Sequence, residues 1–217
     1  MASLGPSPLF WHIATTVAGL SKKTYKASVE ELGQLCSLYG VEARIFLVAC
    51  LLAEARDTRV PPNSMKAQLL NTELSTLAAQ SNFASIITQA FEAAFGMEPP
   101  SAAASSRAPT LHSSISSDFM HSLIKTAKLD AATAVVISVA LMHSSQREVA
   151  QEGFSALLPA LERYASKQEG ASAATVPAHV VQTLLFITRT HSLFVADLAK
   201  QREVWGYIQA AHSDVAG

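Results

Sequence analysis

The sequence predicts an all-α fold of stacked antiparallel helical hairpins, and three observations carry that reading. No segment alternates apolar and polar residues for long enough to make a convincing strand. Apolar residues recur instead at three- and four-residue spacing, most regularly at Phe83, Ile86, Ile87, Ala90, Phe91 and Ala94. Last, Asp130 to Tyr164 reads as a helix with no polar face followed by a helix with one. From Ala131 to Met142 only Thr133 and Ser138 interrupt the apolar side chains, and a helix apolar all round must be buried on all sides. Asp130 is placed to cap it, His143-Ser144-Ser145 breaks it, and Ser145 with Glu148 makes a capping box for the next helix. That helix carries Val149, Gly153, Ala156, Leu157, Ala160, Leu161 and Tyr164 on one side, while Pro159 removes a backbone donor and predicts a kink.

Each remaining element has its own local reason. Pro8 suits the start of a first helix over Leu9 to Leu20. The polar link from Ser21 to Thr24 follows, and Ser28 with Glu31 forms a capping box for a second helix whose apolar stripe is Leu32, Leu35, Cys36 and Tyr39. Gly40 closes it. A third helix from Val41 to about Asp57 holds the apolar block Ile45 to Ala53 and stops before Pro61-Pro62. Asn63 or Ser64 caps a fourth helix with Met65, Leu69, Leu70, Leu74 and Leu77 inward. The Phe83 helix ends at Gly96, and Met97 to Thr110, rich in Pro, Ser and Ala, reads as a surface linker. Ile115, Phe119, Leu123 and Ala127 mark a helix leading into the Asp130 hairpin. Lys167 to Thr175 is a second polar connection. Pro177 opens a helix with Val180, Val181, Leu184 and Leu185, and a last helix runs from about Ser192 to Ala210.

About ten helices on short turns pair off either as a closed bundle or as an irregular HEAT-like α-solenoid. The buried-first, amphipathic-second order of the Asp130 hairpin favours the stack, and residues 1–217 read as one domain with a loop at about 97–110. A chain of 217 residues can bury a core without staples. Cys36 and Cys50 fall on apolar helical faces, as free thiols in a reducing compartment do. A formal net charge of −1, sparsely distributed, does not single out nucleic acid or an anionic membrane as the main partner. The longest apolar runs fall short of the ~20 residues that span a bilayer, and the N-terminus resembles neither a secretion signal nor a transit peptide. These features read as a cytoplasmic chain, with the nucleus as a second compartment.

Candidate chemistry is thin. His12, His112, His121, His143, His179, His191 and His212 form no His-x-x-x-His pair, and the two cysteines are not a Cys-x-x-Cys, so no metal and no cofactor is expected. There is no Gly-x-Ser-x-Gly elbow and no glycine-rich phosphate loop. His143-Ser144 and His191-Ser192 read as helix ends and caps. Two groups remain as partner-contact candidates. Lys22, Lys23 and Lys26 around Tyr25 form a basic group for RNA phosphates or an acidic partner, although a solvated link with Tyr25 packed inward is favoured because a nucleic-acid face needs a longer basic stripe. In the last helix Phe194, Leu198, Trp205 and Ile208 make an apolar stripe with Arg202 and Tyr207 nearby. Phe194 and Leu198 read as core, whereas Trp205, Tyr207 and Arg202 are the interface candidates.

Three blocks of sequence resemble one family. Leu20 to Leu51, LSKKTYKASVEELGQLCSLYGVEARIFLVACL, carries the Lys-Lys pair, Tyr25, the Gly40-x-Glu42-Ala43 step and Cys50-Leu51 in order. Gln68 to Phe91, QLLNTELSTLAAQSNFASIITQAF, holds the pair Asn82-Phe83. Phe119 to Tyr164 contains KLDAATAVVISVALMHSSQREVAQEGFSALLPALERY, with Ser144-Ser145 and the Leu158-Pro159-Ala160-Leu161 run. In order, spacing and start position these resemble the N-terminal region of the large scaffold subunit of the CCR-NOT mRNA deadenylase complex. The blocks cover roughly half of the chain. The connection at Thr58 to Ser64 is shorter than the family's, an Ala/Ser-rich insert lies near Ser101, and the resemblance fades beyond Ala165. It implies a non-enzymatic HEAT-like platform that holds other CCR-NOT subunits, chiefly those called NOT-ten and NOT-eleven, while deadenylases attach elsewhere. An RNA-binding helical-repeat protein using Lys22 to Lys26 is the alternative, and an enzyme ranks third.

Overall fold

The computed structural model describes residues 7–56, 60–95, 97, 100–103, 119–126, 128–167 and 175–213, and every element among them is helical. Ser7 caps α1 (Pro8–Ala18) by accepting from the Phe10 N–H at 3.1 Å, with Pro8 in its first turn. The second helix, α2 (Tyr25–Tyr39), begins a turn earlier than its sequence signal. Ser28 lies inside it, so the expected Ser28–Glu31 capping box does not form. The cause is the turn before it: the Ser21 N–H donates to Thr24 Oγ1 at 3.0 Å, Thr24 Oγ1 donates to the Gly19 carbonyl at 3.0 Å, and the Ser28 N–H reaches the Thr24 carbonyl at 2.9 Å. Glu31 instead meets His12 Nε2 at 2.6 Å. Gly40 ends α2 at φ 62°, ψ −134°, a conformation open essentially to glycine.

Next comes α3 (Val41–Arg56), buried without a break from Phe46 to Ala55. Ser64 caps α4 (Met65–Ala78), accepting from the Ala67 N–H at 3.2 Å, and α5 (Phe83–Phe95) follows the sequence period closely. The Met97 to Thr110 linker holds a short helix, α6 (Pro100–Ala103), that packs against α1 and α3; the rest of that stretch after residue 103 lies outside the described residues. After α7 (Phe119–Lys125) comes α8 (Ala131–Leu141), in which all eleven residues are buried, as a helix without a polar face requires. Asp130 caps it through the Thr133 N–H at 2.8 Å.

The partner helix, α9 (Arg147–Lys167), starts too late for Ser145 to be its cap; Ser144 organises the turn, accepting from the Gln146 N–H at 3.1 Å and donating to Glu92 at 2.7 Å. The helix runs through Pro159. Gly153 lets it approach α8, because a β-carbon there would sit 2.6 Å from the Ser138 carbonyl oxygen. Pro177 flanks α10 (Ala178–Thr190). The single last helix expected from Ser192 is two, α11 (Ser192–Ala196) and α12 (Leu198–Ser213), broken where Asp197 turns to accept from the Lys200 N–H at 3.0 Å. An Asx cap outcompetes helix continuation there.

Two buried helices, α3 and α8, organise the packing, and α5 lies between them with extensive contact to both. The Thr88 hydroxyl on α5 donates to the Ala140 carbonyl on α8 at 2.8 Å. Phe91 and Phe95 pack on Phe119 with ring centroids 5.0 and 5.5 Å away. Around this spine, α1, α2 and α4 cover α3, while α9 and α10 cover α8. The buried charges are satisfied: Lys128 Nζ donates to the Ala55 carbonyl at 2.7 Å and Glu152 accepts from the Met120 N–H at 2.8 Å. Asn71 reads the loop before α8 from both sides, donating to the Lys128 carbonyl at 2.9 Å and accepting from the Asp130 N–H at 2.9 Å.

Candidate interaction site

Two surfaces stand out, one at each end of the helix succession. The first surrounds α1, α2 and the start of α3. Lys22, Lys23 and Lys26 are exposed, while Tyr25 between them is half-buried and packs on the core. The Ser21–Thr24 turn and the first residues of α2 therefore present the three ammonium groups and hide the ring. Apolar side chains are exposed on the same helices: Trp11 on α1, Leu38 and Tyr39 at the end of α2, and Val41 at the start of α3. Leu38 is 77% exposed. Tyr39 was expected on the inward stripe, but Gly40 reverses the chain directly after it and leaves the ring outside at 55% exposure.

The second surface belongs to α10, α11 and α12. Of the interface candidates there, Arg202 is exposed, whereas Trp205 and Tyr207 are half-buried. Trp205 is held in place: its Nε1–H donates to Thr188 Oγ1 at 2.8 Å and the Arg189 guanidinium lies 5.4 Å from its ring centroid. Tyr207 packs against the core. Phe194 is core, as expected, but Leu198 is not. The break at Asp197 rotates the two out of a common stripe and leaves Leu198 56% exposed. Phe186 and Val195 are exposed as well. Phe186 had a signal in the sequence, since it lies off the Val180, Leu184 and Ile187 face of its own helix. Val195 had none, because its exposure depends on the elbow at Asp197.

Lysine and histidine chemistry locks this second surface onto the body. The Lys200 ammonium lies 3.9 Å from the Phe154 ring centroid and donates to the Phe154 carbonyl, joining α12 to α9; desolvation lowers its pKa, partly offset by Asp197 and Glu203. His191 accepts the Leu193 N–H on Nδ1 at 3.3 Å, and the Met142 carbonyl at the end of α8 lies near enough to act on the ring. Its pKa is lowered by desolvation and by the nearby His143, against the raising effect of that carbonyl.

Both cysteines lie in the interior as free thiols. Burial, reinforced by Glu54, pushes the Cys50 thiol up to about 12, and burial also raises Cys36, with Glu73 adding to the shift. Such thiols are poor nucleophiles and poor metal ligands. Among the described residues no group of three or more His, Cys, Asp or Glu could hold a metal ion, and no helix is long and apolar enough to cross a membrane. No protein-family model matches the chain, and no curated protein matches it in sequence.

Proposed function

We propose that this chain is a non-enzymatic protein-interaction module, the N-terminal HEAT-like part of the large scaffold subunit of the CCR-NOT deadenylase complex. The observation that carries the reading joins sequence to packing. The three blocks that resemble the family fall on α2 and α3, on α4 and α5, and on α7 to α9, and these are the elements that build the spine of two buried helices bridged by α5. A stacked, solenoid-like arrangement is supported by the order of extensive contacts, α1 to α3, α3 to α5, α5 to α8, α8 to α9 and α9 to α12. Extensive contact between α1 to α3 and α10 to α12, which a closed bundle would bring, is not found among the described residues. Exposed apolar residues at both ends, Trp11 and Leu38 at one and Phe186 and Leu198 at the other, supply docking positions. Holding regulatory subunits there raises their effective concentration near tethered nucleases. Affinity purification of the tagged chain from cells tests this: recovery of CCR-NOT subunits, the NOT-ten and NOT-eleven types first, is the expected result, and a purification without any of them refutes it.

Direct RNA binding is the second reading, favoured by the exposure of Lys22, Lys23 and Lys26 without a salt bridge among the described residues. It requires binding that weakens steeply as salt rises. Titration with fluorescent single-stranded RNA at two ionic strengths decides it.

A further inference from the structure

The short helix α6 lies against α1 and α3, and among the described residues its side-chain hydrogen bonds go to one buried carboxylate on α3. Glu54, fully buried near the end of α3, accepts the Lys66 ammonium on Oε2 at 2.8 Å. Ser101 supplies two more donors to the same group, its N–H to Oε1 at 2.6 Å and its hydroxyl to Oε2 at 2.8 Å. Ser101 is otherwise exposed and Pro100 is only half-buried. The hydrogen bonds described for α6 thus centre on one charge. If α6 lifts, water replaces the two Ser101 donors and the Lys66 pair remains.

We propose that Ser101 is a phosphorylation site and that its modification releases α6 from α1 and α3. In the attached state the hydroxyl faces Glu54, so a protein kinase captures moments when α6 has lifted. The terminal phosphoryl group of a nucleoside triphosphate passes to Oγ, the hydroxyl proton is released, and the nucleoside diphosphate departs. The product has lost its O–H donor and carries a charge of about −1.5 to −2. Re-docking then brings two anions together at a partly buried contact, Glu54 being fully buried. Among the described residues, Lys66 is engaged with Glu54, Lys128 with the Ala55 carbonyl, and Arg56 with the carbonyls of Ala94, Phe95 and Met97. The contact that holds α6 becomes the one that expels it, uncovering the α6-facing side of α1. This switch does not depend on the deadenylase reading.

The test uses the full chain carrying phosphoserine at position 101, with amide hydrogen exchange followed at Ser101 and along α1. Exchange should accelerate about tenfold or more relative to the unmodified chain, the scale of losing a hydrogen bond to a charged group, while the amides of α8 keep their protection. In the Glu54→Gln background the same phosphate should accelerate exchange less than about threefold, since the repulsion is gone. Ser101→Ala, which keeps the N–H donor, should release α6 less than phosphoserine does. Unchanged or slower exchange in the phosphoserine chain would show that Lys66 or Arg56 accommodates the phosphate, and would overturn the proposal. Equal release by Ser101→Ala would overturn it as well, because the charge would then have no part. Should Glu54→Gln fail to fold, the comparison of phosphoserine with Ser101→Ala still decides.

Discussion

A β-carbon built on Gly153 would lie 2.6 Å from the Ser138 carbonyl oxygen and 2.8 Å from the Leu141 β-carbon. Both belong to the buried face of α8, where nothing flexible can give way. Gly153→Ala should therefore destabilise the protein by about 1–3 kcal/mol, the cost of overpacking a filled interior, and urea denaturation measures it; unchanged stability would mean that α9 can slide along α8. His191 makes a prediction with a definite sign. Its folded pKa lies below its ordinary value of 6.5, so the unfolded chain binds more protons in the interval between them. The stabilisation from neutral His191, which accepts the Leu193 N–H, is present in full above 6.5 and is lost as pH falls through the folded value. His191→Gln should flatten part of the decline in melting temperature between neutral and mildly acidic pH. A decline as steep as that of the parent chain would remove the argument. Cys50, pushed up to about 12 by burial and Glu54, should react with a thiol reagent only when the native protein opens, at a rate set by denaturant; fast labelling in buffer would contradict it.

Element existence was legible wherever one periodicity dominated. The apolar block Ile45 to Ala53, the Phe83 period and the featureless Ala131 to Met142 run became α3, α5 and α8, because burial on several sides leaves such sequences no alternative. Boundaries failed where side-chain hydrogen bonds compete locally. The Ser28–Glu31 pattern is a good capping box, yet the Ser21–Thr24 turn starts α2 three residues before Ser28. Asp197 breaks what reads as one long helix, and α6 is invisible in composition because its anchor, Glu54, lies 47 residues away. The interface candidates divided for the same reason. Lys22, Lys23, Lys26 and Arg202 are exposed, but Trp205 found a partner in Thr188, and Leu198 and Phe186 came out in its stead. Within α2, Gly33 is exposed and has nothing within 4 Å of where a β-carbon would sit. Gly33→Ala should accordingly raise stability by roughly 0.5–1 kcal/mol, through backbone entropy alone. Thermal melting of the purified variant checks it, and a drop would show that this face of α2 is not free.

Across the whole molecule, the two buried helices and the bridging α5 form the interior, and most of the exposed apolar side chains lie on other helices. The spine holds the fold, and the exposed apolar side chains lie mostly on the helices around it: Trp11 on α1, Leu38 and Tyr39 on α2, Phe186 on α10, Val195 on α11 and Leu198 on α12, with Val41 at the first residue of α3. A polar substitution at an exposed position away from caps and buried partners changes stability by no more than about 0.5 kcal/mol. The same substitution at an interface anchor costs the partner an apolar contact and leaves a charge to desolvate, which is commonly worth 2 kcal/mol or more, about thirtyfold in affinity. Leu38→Asp and Phe186→Asp should therefore melt close to the parent temperature while each loses part of what the tagged chain captures from cells. If the two ends serve different subunits, the losses will differ: one substitution will deplete one subunit and spare the other, and the double variant will deplete both. Two variants that fold normally and capture everything the parent does would place recognition elsewhere on the surface, with Lys22, Lys23, Lys26 and Arg202 as the next positions to reverse in charge.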